Sequence, residues 1–117
     1  MALKKMALQL GMGTDIEGGN HTKAAIRAVE NALRRNGLVV ADAFGVPRRE
    51  MKVKIVIGAG QPDAVDKAAV ANVIPYGQPD VEVTHGGMDT PRDDVDDVTI
   101  MVNAAVIVYL DLPEEVA

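Results

Sequence analysis

Two stretches of the chain set carboxylates and imidazoles among glycines. The first, LGMGTDIEGGNHTK (Leu10 to Lys23), holds Asp15, Glu17 and His21 beside Gly11, Gly13, Gly18 and Gly19. Carboxylates and an imidazole at these intervals can ligate a hard cation or serve as acid and base. The glycines let backbone amides approach an anionic ligand, and Lys23 and Arg27 just beyond can balance a carboxylate. A local role is equally open: Asp15 and Asn20 can bond nearby amides and cap a helix.

The second stretch is His85-Gly86-Gly87-Met88-Asp89. A strand end followed by two glycines exposes amides suited to an oxyanion, with His85 as a base and Asp89 close by. Against this, a lone histidine at a strand end is commonly a surface residue. Gly58-x-Gly60 also sits between a strand and a helix. Neither Gly-x-Gly has the third glycine of the dinucleotide fingerprint, and no P-loop Gly-Lys-Ser/Thr occurs. Tight turning is an alternative for both. The acidic run Asp93, Asp94, Asp96 and Asp97 lacks EF-hand spacing and reads as a solvated loop. Whether a metal or cofactor is bound stays undecided.

The elements that must position these groups follow from periodicity. Met6, Leu8 and Leu10 alternate with Ala7 and Gln9, as in a strand, and the glycine loop is expected after it. From Thr22 the spacing is helical, with Ile26, Val29, Ala32 and Leu33 on one face and a stop at Asn36-Gly37. Leu38 to Arg49 suggests a short helical turn. Met51, Val53, Ile55 and Ile57 form the clearest strand. A second helix is expected from Pro62, with Val65, Ala68, Ala69, Asn72 and Val73 inward. Val81 and Val83 mark a third strand. The last, from about Val98 to Leu110, is apolar on both faces, and Asn103 within it needs hydrogen-bond partners.

The order is β-α-β-α-β-β, an α+β two-layer sandwich with a four-stranded mixed sheet and two helices on one face. At 117 residues the chain makes a single domain. Two helices cover one sheet face, so the greasy other face of the last strand needs a cover. In so short a chain a second copy is the expected one, giving a homo-oligomer. The net charge of −5 and the absence of a basic stripe argue against nucleic acid. There are no cysteines, which excludes disulfides and thiolate metal sites. No run approaches the ~18 apolar residues of a membrane span, and the start MALKKMALQLG does not read as a signal peptide, so a cytoplasmic location is expected.

Gly11-Met12-Gly13-Thr14-Asp15-Ile16-Glu17-Gly18 resembles the G-x-G-x-D-x-H-G hallmark of a small family of uncharacterised bacterial and plant proteins. Gly11, Gly13, Asp15 and Gly18 match it, and Glu17 stands in place of the histidine. The element order is similar to that of bacterial chorismate mutases and RidA/YjgF deaminases, which implies a trimer with ligand sites between subunits. The cyanuric acid hydrolases resemble three such units fused. Their Ser-Gly-Gly motif is similar to His85-Gly86-Gly87, with His85 where the nucleophilic serine stands. The expectation is a small homo-oligomer, trimer favoured, that binds or transforms a small polar or anionic metabolite between subunits, by hydrolase- or lyase-type chemistry. The alternatives are a non-catalytic binding or regulatory module and a structural oligomer with no ligand.

Overall fold

The computed structural model describes residues 2–36, 39–93 and 95–113. The chain runs β1 (Ala2–Asp15), α1 (His21–Asn36), a short α2 (Val40–Ala43), a 3-10 turn (Arg48–Glu50), β2 (Lys52–Ala59), a second 3-10 turn (Pro62–Ala64), α3 (Lys67–Ala71), β3 (Gln78–His85), the two-residue β4 (Thr90–Pro91) and β5 (Val98–Leu112). The expected stop at Gly37, Leu38 and Asp94 of the acidic run lie outside the described residues.

The fold is α+β, with an open five-stranded sheet in the order β1-β5-β2-β3 and β4 paired to β5. β5 is antiparallel to both β1 and β2, while β2 and β3 are parallel. Four strands were expected. The fifth, β4, comes from the stretch read as a loop, where Thr90 pairs with Thr99 and Pro91 with Val98.

The core lies between one sheet face and the helices. Val53, Ile55 and Ile57 of β2 and Val102, Val106 and Val108 of β5 meet Ala24, Ala25, Ala28, Val29 and Ala32 of α1 and Val70 of α3. Ile26 and Leu33, expected on the inner face of α1, are partly buried at its margins.

β1 extends past the expected end at Leu10 and passes through Gly11 and Gly13. A register shift between Lys5 and Ala7 sets Gln9, Gly11, Gly13 and Asp15 toward the helix layer and turns Leu8, Leu10 and Met12 outward. A β-carbon at position 11 would fall 2.2 Å from the Ala28 carbonyl oxygen, and one at 13 would fall 2.2 Å from that of Ala24. The two glycines are therefore a groove in the sheet that admits the alanine face of α1, and the expected loop begins only at Ile16.

α3 is shorter than expected and rotated. Pro62 starts a 3-10 turn and Asp66 caps the helix, its carboxylate accepting from the amides of Ala68 (3.0 Å) and Ala69 (3.3 Å). Of the expected inner face, Val65 is buried and Val73 packs against the core, where Val70 and Ile74 join them, while Ala68 and Asn72 are exposed.

The opposite sheet face carries Leu8, Leu10 and Met12 of β1, Ala105 and Ile107 of β5, and Val56 of β2, brought into line by the strand registers. Leu10 is 60% exposed. No described element packs over this face. Asn103 is exposed on it, opposite Met12.

Candidate functional site

The loop after β1 folds back on Asp15. That side chain is buried, and its Oδ2 accepts a hydrogen bond from the Asn20 amide at 2.9 Å. Gly18 and Gly19 take positive φ, 95° and 63°, to turn the chain. Asn20 then caps α1, its Oδ1 accepting from the Lys23 amide at 2.9 Å. Thr22 ties the helix start to the turn before α3, accepting from the Asp66 amide (2.9 Å) and donating to the Ala64 carbonyl (3.2 Å). The outcome of this local wiring is that His21, the first residue of α1, is carried inward with only 7% exposure.

Asp89 reaches the same place from the far edge of the sheet, after the C-terminal end of β3. The Gly86 amide donates to the Ala59 carbonyl and the Met88 amide to the Met101 carbonyl, each at 3.0 Å. Gly87 has φ 72° and leaves no room for a side chain, because a β-carbon there would stand 2.3 Å from the Met101 oxygen. The Gly-Gly pair thus drapes the chain over the ends of β2 and β5 and sets Asp89 against Gly60. The amides of Gly86 and Met88 are committed to these carbonyls.

His21 Nε2 and Asp89 Oδ2 stand 3.5 Å apart. His21 Nε2 and Asp89 Oδ1 are both buried and make no hydrogen bond. The two residues share a cleft of about 470 Å³ whose walls include Gly19, Gln61, Asp97 and Ile100. That size suits a small ligand. A histidine facing a carboxylate can hold one proton and exchange it with a bound molecule.

The other expected residues lie elsewhere. Glu17 is 81% exposed, its carboxylate 3.7 Å from Arg92 Nη1. Arg27 Nη1 donates to the Thr14 carbonyl at 2.7 Å and stands 3.8 Å from Asp15 Oδ1. Beside it the Met12 amide donates to Asn31 Oδ1 at 3.1 Å. These two side chains of α1 occupy the free edge of β1, which shields it from pairing with another strand. Lys23 is exposed on α1, and His85 is exposed at the end of β3 opposite Ala59. Neither lines the cleft, nor do Gly11, Gly13, Gly18, Gly86 and Gly87. The two candidate stretches therefore meet, but through His21 and Asp89.

Gln61 and Asp97 were not among the candidates. Gln61 follows Gly58-x-Gly60, and Asp97 immediately precedes β5, its Oδ1 accepting from the Val98 amide at 2.8 Å. Position at a strand end was the available signal in each case.

Among the described residues no group of three or more His, Cys, Asp or Glu converges in a way that holds a metal ion. A clear pKa displacement lies away from the cleft, at Asp42 and Arg48. Hydrogen bonds from Arg48 Nε (3.1 Å) and Nη2 (2.6 Å) hold the exposed Asp42 carboxyl below its ordinary range, and the same bonds raise Arg48. Arg48 also lies over the Tyr76 ring, 4.8 Å from its centroid.

Residues 5–108 match a family described as conserved hypothetical protein, Lin0512_fam. The chain belongs to this family. Its fold is similar to that of an FtsZ-like protein of unknown function from Nostoc punctiforme PCC 73102, solved by crystallography. The two are 32% identical with a TM-score of 0.85, and the match covers 96% of this chain and 99% of that one. None of the curated proteins matches the chain. No described helix is long and apolar enough to cross a membrane.

Proposed function

We propose that the cleft between His21 and Asp89 binds a small polar metabolite and that this pair moves a proton on it. The observation that carries the reading is that His21 Nε2, 3.5 Å from Asp89 Oδ2, and Asp89 Oδ1 are both buried without a hydrogen bond. Buried polar atoms are ordinarily satisfied, and those left without partners in a cleft await one. Proton transfer from an imidazole–carboxylate pair suits hydrolase- or lyase-type chemistry on a polar substrate. Asp15, Glu17 and His85 stand outside this role, Asp15 because its carboxylate is engaged in shaping the loop.

A non-catalytic binding or regulatory module would use the same cleft and differ only in lacking turnover. A homo-oligomer, trimer favoured, is part of the same reading. It is supported by the exposed apolar sheet face around Leu8, Leu10 and Met12 and by the resemblance in element order to chorismate mutases and RidA/YjgF proteins. The Nostoc relative is described as FtsZ-like with its function unknown and supplies no substrate.

A thermal-shift screen of small polar metabolites against the wild type, Asp89→Asn and His21→Gln tests the assignment. A ligand at about 100 times its Kd stabilises by about 2.7 kcal/mol. That gain is expected to disappear in both variants. Ligands that stabilise the variants as well as the wild type overturn it. Conversion of the ligand by the wild type separates the enzyme from the binding module.

A further inference from the structure

The charge of the cleft assigns the chemical class of its ligand. Resting on the reading of this cleft as the binding site, we infer that the ligand is a small organic cation, an ammonium or guanidinium on a short apolar body.

The ionisable side chains on the cleft wall are His21, Asp89 and Asp97, and no lysine or arginine among the described residues joins them. The cationic residues close to the wall in sequence lie off it, Lys23 being exposed on α1. Arg92 stands beside Glu17, and Arg27 beside Thr14 and Asp15. An entering carboxylate or phosphate would therefore meet two carboxylates with no lysine or arginine to offset them and His21 as the one basic group on the wall, while a cation meets two partners of opposite charge.

Hydrogen-bond chemistry points the same way. Asp89 Oδ1 is a buried acceptor without a donor. An ionised carboxylate only accepts, so what completes it must carry N–H or O–H groups. A fully ionised carboxylate ligand has none. His21 Nε2 stands beside the same aspartate and can accept a second N–H when neutral, which fits a group with several N–H donors in a fan. Guanidinium and ammonium are such groups, and both form charge-assisted bonds to carboxylates. The rest of the wall includes Pro91, Val98 and Ile100, an apolar surface for a short alkyl chain. His21 itself is more than nine-tenths buried, so this is a built recess and not an acidic surface.

The test is a set of amide chemical-shift titrations of the ¹⁵N-labelled full chain near neutral pH, at matched ionic strength. The probes are n-butylguanidine, n-butylamine, butyrate and inorganic phosphate. The cationic probes are expected to give saturable shifts at Gly19, His21, Gln61, Asp89 and Asp97, and the anions none. Asp89→Asn and Asp97→Asn are each expected to weaken the cations at least about tenfold, and the dispersion of the same spectra shows that the variants are folded. Saturable shifts at these amides from butyrate or phosphate, with the cations silent, overturn the charge assignment and leave the cleft standing as a site. Cation shifts that survive both substitutions overturn it as well. Silence of all four probes at these amides counts against both the charge assignment and the site.

Discussion

Asp89 lies against Gly60 so closely that a β-carbon at position 60 would stand 2.3 Å from its Oδ2. The glycine after β2 is thus the floor on which the cleft aspartate rests. Substitution there moves a side-chain tip and leaves the backbone free to stay. Gly60→Ala is expected to change stability by less than about 1 kcal/mol, since a flexible end gives way cheaply, and to weaken n-butylguanidine binding about tenfold as Asp89 turns from His21. Urea denaturation and the amide titration read the two effects separately. Unchanged affinity would remove Gly60 from the design of the site.

Gly13 answers to a different neighbour. A β-carbon there would meet the Ala24 carbonyl at 2.2 Å and the Ala28 amide nitrogen at 2.3 Å. Both are helix backbone, and no rotamer change relieves them. Gly13→Ala is expected to destabilise by about 3 kcal/mol, the upper end for overpacking, with Gly11→Ala similar. Urea midpoints measure it. A loss below 1 kcal/mol would mean that α1 does not lie in the glycine groove.

Glu17 and His85, both candidates by residue type, are expected to be silent. Each is exposed and off the cleft wall. Glu17→Gln and His85→Ala should leave stability within about 0.5 kcal/mol and n-butylguanidine affinity unchanged. A tenfold loss of affinity in either would relocate the site toward the loop or the end of β3.

The outer sheet face gives a prediction of its own. Leu10→Lys places a charge among Leu8, Met12, Ala105 and Ile107, on a face that no described element covers. Sedimentation velocity is expected to find the wild type as an oligomer, trimer favoured, and the variant dissociated with its far-ultraviolet circular dichroism unchanged. A wild type that sediments as a monomer at working concentration would remove the oligomer from the proposal.

Much of this architecture is legible from period-two and helical spacing. Val53, Ile55 and Ile57 mark β2, the long apolar run marks β5, and Val29 and Ala32 mark the buried face of α1. Gly11 and Gly13 mislead because a glycine pair after an alternating run is the usual sign of a turn. Their real partner is the Ala24, Ala28 and Ala32 stripe, whose fit to a glycine groove exists only once the helix is laid on the strand. The start of α3 is similar. Pro62 and Asp66 both offer helix beginnings, and hydrogen bonding by the Asp66 carboxylate decides between them. For the site, His21 and Asp89 each stood out by type. Their pairing did not, because it depends on how Gly86 and Gly87 cross the strand ends. Asp97 was hidden within an acidic run that composition alone reads as solvated.

Native mass spectrometry of the freshly purified wild type beside Asp89→Asn tests the central assignment most directly, since it weighs the chain together with whatever small molecule stays bound. The expected result is a small organic mass on the wild type that is absent from the variant, with the subunit count unchanged. The same mass retained on Asp89→Asn would contradict the placement of the ligand between His21 and Asp89.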